Sequence, residues 1–282
     1  MKNLLTKLWN EFIYGGHLLA LGPVVIILAL YAVLNMPIST QLLIVAYSIA
    51  YLVYKFDRTW DSTLDSLYVK KSILRYENST LVLLIIFFSL LLLYLFRENS
   101  YQVTTFAFVL LLFGLMYSVF IKNLTKYLIG FKSFFVALSY TAVTYLFTLY
   151  NNVDFNLTVL LVFLFFYIRW FINTSFCDCK DREEDRARGL KTLAAYMKGY
   201  SFVVLLQVLN IISIVPIAVG IMLNTLPIWS ILFISAPIYF AYLVAYTAKM
   251  EKSYEKLANI WADGEIFIWL GVVLLGGEIW SF

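Results

Sequence analysis

Two long stretches of this sequence contain no Lys, Arg, Asp or Glu: the residues between Glu11 and Lys55, and the run from Gly199 to Ala248. About 20 apolar residues are enough to cross the hydrocarbon core of a bilayer, so each stretch can hold two membrane spans. The mean hydropathy of the chain is +0.85, which exceeds what a water-exposed surface tolerates. The sequence therefore predicts an integral membrane protein and excludes a soluble globular domain.

We predict an all-α fold, a polytopic bundle of nine transmembrane helices that forms a single domain over residues 1–282. Turn-forming residues divide both uncharged runs, at the NMPIST segment (35–40) and at the NTLP segment (224–227). Charged or polar residues bound the other apolar runs. The remaining spans are predicted at 79–96, 101–120, 131–150, 155–176 and 264–282.

The cations predict how the chain is oriented. Short loops rich in Lys and Arg stay in the cytoplasm, and 19 of the 21 Lys and Arg residues fall on the side that contains the N-terminus. We therefore place the N-terminus in the cytoplasm, in a multi-pass protein of the cell membrane. The long polar loops also lie on this side, so we expect the active site in a central cavity that opens near the cytoplasmic face. A rim facing anionic lipid explains the net charge of +4 without nucleic acid.

Acidic residues concentrate in two clusters, each directly after a span that is predicted to end in the cytoplasm. Spacings of three or four residues place each trio on one face of a helix, provided that the helix continues past the membrane. Like charges one turn apart repel each other, so two such faces indicate a neutralising cation. The first cluster contains Asp57, Asp61 and Asp65, and the second contains Asp178, Asp181 and Asp185.

A magnesium-bound polyphosphate is the ligand that these clusters favour. Carboxylate oxygens are hard ligands that suit Mg²⁺, which completes its shell with water and phosphate oxygens. At the mouth of a helix bundle, the ligand is expected to have a charged head and an apolar tail, as an isoprenoid diphosphate has. For one cluster alone, a solvated acidic face paired with nearby arginines is an equally good interpretation, whereas two clusters on one side favour the cation site. Those arginines are Arg58, Arg182, Arg186 and Arg188.

The second cluster resembles a known motif. The segment DCKDREEDRARGLKTL, residues 178–193, is similar to the second aspartate motif of the UbiA superfamily of intramembrane prenyltransferases. The segment DRTWDSTLD, residues 57–65, resembles the first motif, but Asp57 stands where the family usually has Asn, and Arg58 where many members have Asp. The matching positions of the second motif are Asp178, Asp181, Asp185, Arg186, Gly189, Lys191, Thr192 and Leu193.

The resemblance implies a Mg²⁺-dependent transfer of a polyprenyl group from an allylic isoprenoid diphosphate to an aromatic or lipid-like acceptor in the membrane. All six aspartates are then expected to bind the metal, and Asp61, Asp65, Asp181 and Asp185 to be catalytic. Because the first motif departs from the pattern, an isoprenoid cyclase or an isoprenoid-elongating variant of the family is an alternative. The candidate diphosphate ligands are Arg58, Lys122, Lys132, Arg186 and Lys191.

Four further residues are candidates for the lining of the cavity: Arg169, Asn173, Tyr54 and Tyr140. A charge at bilayer depth costs about 2.5 to 3.5 kcal/mol, so Arg169 is expected to face a cavity or a buried acid unless it reaches the membrane surface. Asn173, one turn later, is a plausible partner for it. For the two tyrosines and for Lys122 and Lys132, ordinary anchoring at the membrane surface is the alternative.

Two other features have less specific interpretations. Cys177 and Cys179 flank Asp178, but soft thiolates do not suit Mg²⁺, so we interpret both cysteines as packing residues. The polar run at 248–265 has helical charge spacing and is interpreted as a solvated amphipathic linker, with a lid over the site as the alternative.

A non-enzymatic protein that binds or transports divalent cations is the alternative from another class. An ion crossing hydrocarbon needs polar side chains inside the spans. Beyond the cytoplasmic motifs the spans are expected to offer only Arg169 and, near the far end, Glu278. This scarcity favours the enzyme, although no motif indicates the acceptor, the prenyl chain length or the oligomeric state.

Overall fold

The computed structural model of the chain describes residues 2–64, 86, 88, 89, 101–247 and 257–279. Every regular element within these ranges is helical and none is a strand, which confirms the all-α prediction for this part of the chain. The predicted span at 79–96 lies outside the described residues, except for residues 86, 88 and 89. Asp65 of the first acidic cluster also lies outside them.

The described α-helices range in length from four residues to 25 residues. The α-helices are α1 (Lys2–Tyr14), α2 (His17–Val33), α3 (Thr40–Leu64), α4 (Tyr101–Val119), α5 (Phe131–Thr141), α6 (Val143–Asn151), α7 (Leu157–Cys177), α8 (Arg182–Ala187), α9 (Leu193–Tyr196), α10 (Gly199–Ile212), α11 (Val215–Met222), α12 (Ser235–Thr247) and α13 (Glu265–Ile279). Two 3₁₀ turns, Ile121–Lys126 and Ile228–Ile234, and one π-helical turn, Leu257–Ala262, complete the set.

Six helical segments of the described chain are long and apolar enough to cross a membrane. The bent pair α1 and α2, with an angle of 61° between its halves, raises the number to seven if it is counted as one span. Nine spans and the orientation of the chain therefore stay predictions. The six segments are Tyr101–Val119, Phe131–Asn151, Leu157–Cys177, Gly199–Met222, Ile228–Thr247 and Leu257–Gly276.

The last of these spans differs from the sequence expectation. It begins at Leu257, whereas the sequence predicts a span from 264 and a solvated linker before it. Ala258 and Ala262 of the π-helical turn are fully buried, and Asp263 and Glu265 are buried as well. The prediction of a solvated linker is therefore wrong for the four buried residues, because Asp263 and Glu265 find partners inside the protein, whereas Trp261 of the same segment is exposed. Residues 248–256 of the predicted linker lie outside the described residues.

The chain divides into two compact units. In unit one, α3 packs against α4. Gly114 of α4 permits this close approach, because a Cβ atom there would lie 2.4 Å from a methyl carbon of Val53. Unit one consists of Met1–Val24, Ser39–Lys122 and Tyr145–Val153, and unit two consists of Val25–Ile38, Asn123–Thr144 and Asp154–Phe282.

Unit two is built around α7. The side chain of Asn156 caps the start of this helix by accepting a hydrogen bond from the Val159 N–H at 3.1 Å, which satisfies one of the free donors of the first turn. Helices α5, α10 and α11 and the π-helical turn all pack on α7. Its buried residues Ile172 and Phe176 lie in an apolar core shared with α10 and α12. This packing fixes the end of α7, where the second aspartate motif begins.

We expect Gly114→Ala to destabilise the protein by about 1 to 3 kcal/mol, because the new methyl group forces Val53 out of its position in a packed interface. Gly271→Ala is the matched control, since nothing lies within 4 Å of a Cβ atom there and Ala is the better helix former. The measurement is thermal unfolding of both purified variants in one detergent, followed by tryptophan fluorescence. Equal melting temperatures for the two variants would contradict the prediction.

Candidate functional site

The second aspartate motif does not continue α7 as one helix. The helix ends at Cys177, and the Asp178 N–H still bonds to the Thr174 carbonyl at 3.1 Å. The three N–H groups after it bond to carbonyls three residues back: Cys179 to Phe176 at 3.0 Å, Lys180 to Cys177 at 3.3 Å and Asp181 to Asp178 at 3.2 Å. Such bonds tighten the chain into a 3₁₀-type turn. Helix α8 then begins at Arg182 and ends before Gly189, whose φ of 69° suits glycine. The three aspartates therefore do not share one continuous helical face, because the hydrogen-bond pattern changes at Asp178.

Asp178 is a buried carboxylate with a basic partner. Lys132, near the start of α5, places its Nζ 2.6 Å from Asp178 Oδ1, and the Ser133 hydroxyl donates to Oδ2 at 3.5 Å. Only 3% of Asp178 is exposed. Burial raises the pKa of this carboxyl, and the Lys132 ammonium partly offsets the rise. The position is therefore one at which a carboxylate requires a nearby cation.

Asp185 lies at the same end of unit two. It is buried on α8, and the Thr192 hydroxyl donates to its Oδ2 at 2.9 Å. Burial raises its pKa, and Lys132 is close enough to lower it in turn. Lys132 thus acts electrostatically on both Asp178 and Asp185, whereas Asp181 is only partly buried in the turn between them.

The end of the motif docks on the turn that precedes α5. The Lys191 N–H donates to the Thr125 carbonyl at 2.8 Å, and the Gly130 N–H donates to the Lys191 carbonyl at 2.9 Å. Gly130 has a φ of 69°, and its Cα lies against Leu193. Because α5 starts directly after this turn, the same docking places Lys132 beside Asp178.

The arginines of the motif bind other partners. Arg186 donates to the Ala195 carbonyl at 2.9 Å and pairs with Glu183 at 2.9 Å, while Arg188 pairs with Glu184 at 2.6 Å. These pairs lie at the exposed side of α8. The interpretation as a solvated, arginine-paired face therefore holds for the two glutamates, and the buried Asp178 has a lysine instead.

The first motif lies in unit one, on the last turns of α3. Asp57 lies 3.7 Å from the ammonium of Lys122, so the structure brings this candidate pair together. Arg58 donates to the Tyr14 carbonyl and, at 3.4 Å, to the hydroxyl of Tyr54, whose ring it also covers. Asp61 is in α3, but its side chain is outside the described part, as is the whole of Asp65.

Among the described residues, no three His, Cys, Asp or Glu side chains converge on a position that could hold a metal ion. The chemistry of the donors nevertheless suits Mg²⁺, because carboxylate oxygens are hard ligands and Asp178 and Asp185 are both buried at this end of unit two. Burial raises the pKa of the Cys179 thiol to about 12, so this side chain is a neutral thiol rather than a thiolate. This fits the packing role predicted for that cysteine.

Three of the four cavity candidates lie within unit two. Arg169 is fully buried, and its partner is Glu265 rather than Asn173, with Nε to Oε1 at 2.6 Å. Asn173 donates instead to the Ala262 carbonyl at 2.8 Å. The ring of Tyr140 lies 4.0 Å from that of Trp170, centroid to centroid.

Sequence reasoning missed Glu265, although the signal was present. An acid inside the predicted span at 264–282 needs a buried partner, and Arg169 was the obvious one. The expectation that the spans beyond the motifs hold only Arg169 and Glu278 is therefore wrong.

A cavity of about 310 Å³ opens between α7, α10 and α12 in unit two. Apolar side chains such as Phe202 and Leu206 form its inner wall, and Arg182 lies at its edge. The predicted site residues do not line it, so this is not the predicted central cavity.

Comparison with known proteins identifies the family. The model of the UbiA prenyltransferase family matches residues 75–271, which include the whole second motif. The chain therefore belongs to the UbiA prenyltransferase family, whose members are prenyltransferases. With six apolar helices in its described part, it is an integral membrane protein. No curated protein sequence matches this chain.

Two solved structures are similar to the whole chain. One is described as digeranylgeranylglyceryl phosphate synthase in membranes; it is 17% identical, with a TM-score of 0.56, and the match covers 99% of this chain and 98% of that one. The other is the apo structure of a UbiA homologue from Aeropyrum pernix K1, which is 12% identical, with a TM-score of 0.63 and coverage of 92% and 97%. At such identities the likeness shows the fold alone.

We expect Lys132→Met to lower the melting temperature, because it leaves the buried Asp178 carboxylate without its cation. Adding Asp178→Asn should restore stability, since it removes the charge that lost its partner. The measurement is a double-mutant cycle of thermal unfolding in detergent. A double variant no more stable than Lys132→Met would show that the pair does not interact as described.

Proposed function

We propose that this protein is a Mg²⁺-dependent prenyltransferase that moves a polyprenyl group from an allylic isoprenoid diphosphate to a hydrophobic acceptor in the membrane. The observation that carries the proposal is the buried Asp178 carboxylate, held between the end of α7 and Lys132, with Asp185 close to the same ammonium. A carboxylate that is buried this deeply in a turn is typical of a functional site. Membership of the family gives the reaction class.

The metal ligands in this proposal are the two aspartate trios. They are Asp57, Asp61 and Asp65 in the first motif and Asp178, Asp181 and Asp185 in the second. When bound, Mg²⁺ supplies Lewis-acid neutralisation of the leaving diphosphate. Each motif has a lysine beside one aspartate: Lys122 at Asp57 and Lys132 at Asp178. These lysines, with Arg58, Arg186 and Lys191, are the proposed donors to the diphosphate oxygens.

Residues of the chain then stabilise the charges that develop during the reaction. The bond between C1 of the prenyl group and the bridging oxygen breaks, and its electron pair leaves with the diphosphate. Lys122 and Lys132 stabilise the negative charge that develops on the leaving oxygens. The allylic cation is held against aromatic faces, for which Tyr54 and Tyr140 are candidates, until a nucleophilic atom of the acceptor attacks C1 and loses its proton.

The acceptor is aromatic or lipid-like. One of the similar solved structures is described as digeranylgeranylglyceryl phosphate synthase, so a prenylated glycerol phosphate is the first acceptor to test. A cyclase or an isoprenoid-elongating enzyme would share the first ionisation step and differ in its product. A cation transporter is disfavoured, because the charges Arg169 and Glu265 neutralise each other in a fully buried pair and do not line a hydrated path.

The test is incubation of the purified protein with labelled geranylgeranyl or farnesyl diphosphate, with Mg²⁺, with and without a prenylated glycerol phosphate. Release of diphosphate that stops with EDTA and returns with Mg²⁺ supports the proposal, and product analysis separates transfer from cyclisation or elongation. Saturable ion flux in proteoliposomes without diphosphate release would overturn it in favour of the transporter.

We expect Asp181→Ala to lower diphosphate release by about two orders of magnitude or more, because it removes a proposed ligand of the Mg²⁺ that would neutralise the leaving diphosphate. Asp61→Ala should do the same from the first motif. Glu184→Ala is the matched control: it removes an acid from the same region, but one that is exposed and paired with Arg188. Steady-state rates of folded, monodisperse variants give the answer. Near-normal activity in an aspartate variant would remove that residue from the site.

A further inference from the structure

One face of α7 carries a row of polar residues that leads to the second motif. Arg169, Asn173 and Cys177 follow one another at intervals of four, and Lys180 comes three residues later. Such spacing places the three helical residues on one side of α7. All four side chains contact the same short segment, Leu257–Glu265, which we call the π-segment.

The contacts of Arg169 and Asn173, at the start of the row, are buried and strong. Arg169 forms an ion pair with Glu265 at 2.6 Å, and neither side chain is exposed. Asn210 of α10 accepts a further hydrogen bond from Arg169, and Asn173 donates to the Ala262 carbonyl at 2.8 Å. Breaking a buried pair of charges is strongly destabilising, so this end anchors the π-segment to α7.

At the end of the row that leads into the motif, the contacts involve residues on both sides of Asp178 in the sequence. The Cys177 thiol lies 3.7 Å from Asp263 Oδ1, and the Lys180 ammonium donates to Asn259 Oδ1 at 2.6 Å. Cys177 and Lys180 lie on either side of Asp178 in the sequence. The turn is therefore held from one side by the π-segment and, through the Asp178 carboxylate, from the other side by Lys132.

The Asn259 contact contributes little to folding. Lys180 is exposed, and a single polar contact at an exposed site adds little stability. Apolar packing already holds the π-segment, since Ala258 and Ala262 are fully buried and Leu257 packs on the core around Ile172. The main effect of the hydrogen bond between Asn259 and Lys180 is therefore to fix the position of the Lys180 charge.

We propose that the π-segment positions the second aspartate motif, and that Asn259 is a positioning residue that keeps the Lys180 ammonium away from the metal-binding carboxylates. This inference rests on the proposed function. Lys180 is near enough to act on the charge of Asp178. Released from Asn259, its flexible ammonium can pair with Asp178 or Asp181 and compete there with a divalent cation. A π-helical turn is a common device at functional sites, which fits this role.

The test measures metal binding directly, by electron paramagnetic resonance titration of the purified full chain with Mn²⁺ in the presence of inorganic diphosphate. Asn259→Ala is expected to weaken Mn²⁺ binding about tenfold, the effect typical of residues that orient metal ligands. Adding Lys180→Met should restore the affinity, because it removes the competing charge. Tyr239→Phe is the matched control: it removes a 2.7 Å hydrogen bond to the Trp261 carbonyl of the same segment without touching the motif, and should leave Mn²⁺ binding unchanged.

The outcomes separate this inference from the function on which it rests. If the wild-type protein binds Mn²⁺ and Asn259→Ala binds it equally well, the positioning role is overturned and the proposed function stands. If Asn259→Ala weakens binding but Lys180→Met does not restore it, charge competition is overturned as the cause. If the wild-type protein binds no Mn²⁺ with diphosphate present, both the metal site and this inference are overturned.

Discussion

A charge that is removed from water must have an opposite charge within reach, and unit two satisfies this requirement at two places along α7. Taking an isolated ion out of water costs several kcal/mol even after relaxation, so the partners must come from elements that pack on the helix. Glu265 supplies the partner for Arg169, and Lys132 supplies the partner for Asp178. These pairs determine that the π-segment and the start of α5 lie against α7.

The second motif separates its charged residues into an exposed group and a buried group, which allows a largely apolar protein to carry many charges. The glutamates of α8 are exposed and pair with Arg186 of the same helix and with Arg188 directly after it, where water screens the charges. The aspartates at 178 and 185 are buried and depend on Lys132 and Thr192. The change from α-helical to 3₁₀-type hydrogen bonds after Cys177 makes this sorting possible, because it redirects the chain between the two groups.

Sequence reasoning predicted local features well and distant ones poorly. The span at 155–176 corresponds closely to α7, which ends one residue later, because an apolar run with polar ends specifies a helix by itself. The break of the motif after Cys177 was not predictable from spacing, since aspartates three and four apart fit a continuous helix equally well. Downstream of the break, Lys191 docks against Thr125 and Gly130, a contact between distant parts of the chain that spacing does not indicate either.

For the site residues too, the sequence predicted local features but not contacts between distant parts of the chain. Residue types and spacing identified the aspartates as candidates, but the sequence did not indicate that Lys132 rather than an arginine would pair with Asp178. It also did not show that Asn259 binds Lys180, because a polar residue in a polar run has no distinguishing pattern. Glu265 is different: the requirement that buried charges be paired was sufficient to connect it with Arg169.

In each unit a lysine lies beside an aspartate of the motif, and this pairing bears on the proposed reaction. In unit one Lys122 lies near Asp57, and in unit two Lys132 binds Asp178, so each motif has a lysine that neutralises a carboxylate. In the proposed reaction, a magnesium diphosphate brings charges of both signs at once. Asp57 and Asp178 would hold the metal in place of their lysines, and Lys122 and Lys132 would pair with phosphate oxygens instead. The buried Asp178 carboxylate would then keep a cationic partner with and without the substrate, which avoids the desolvation penalty of an unpaired buried charge.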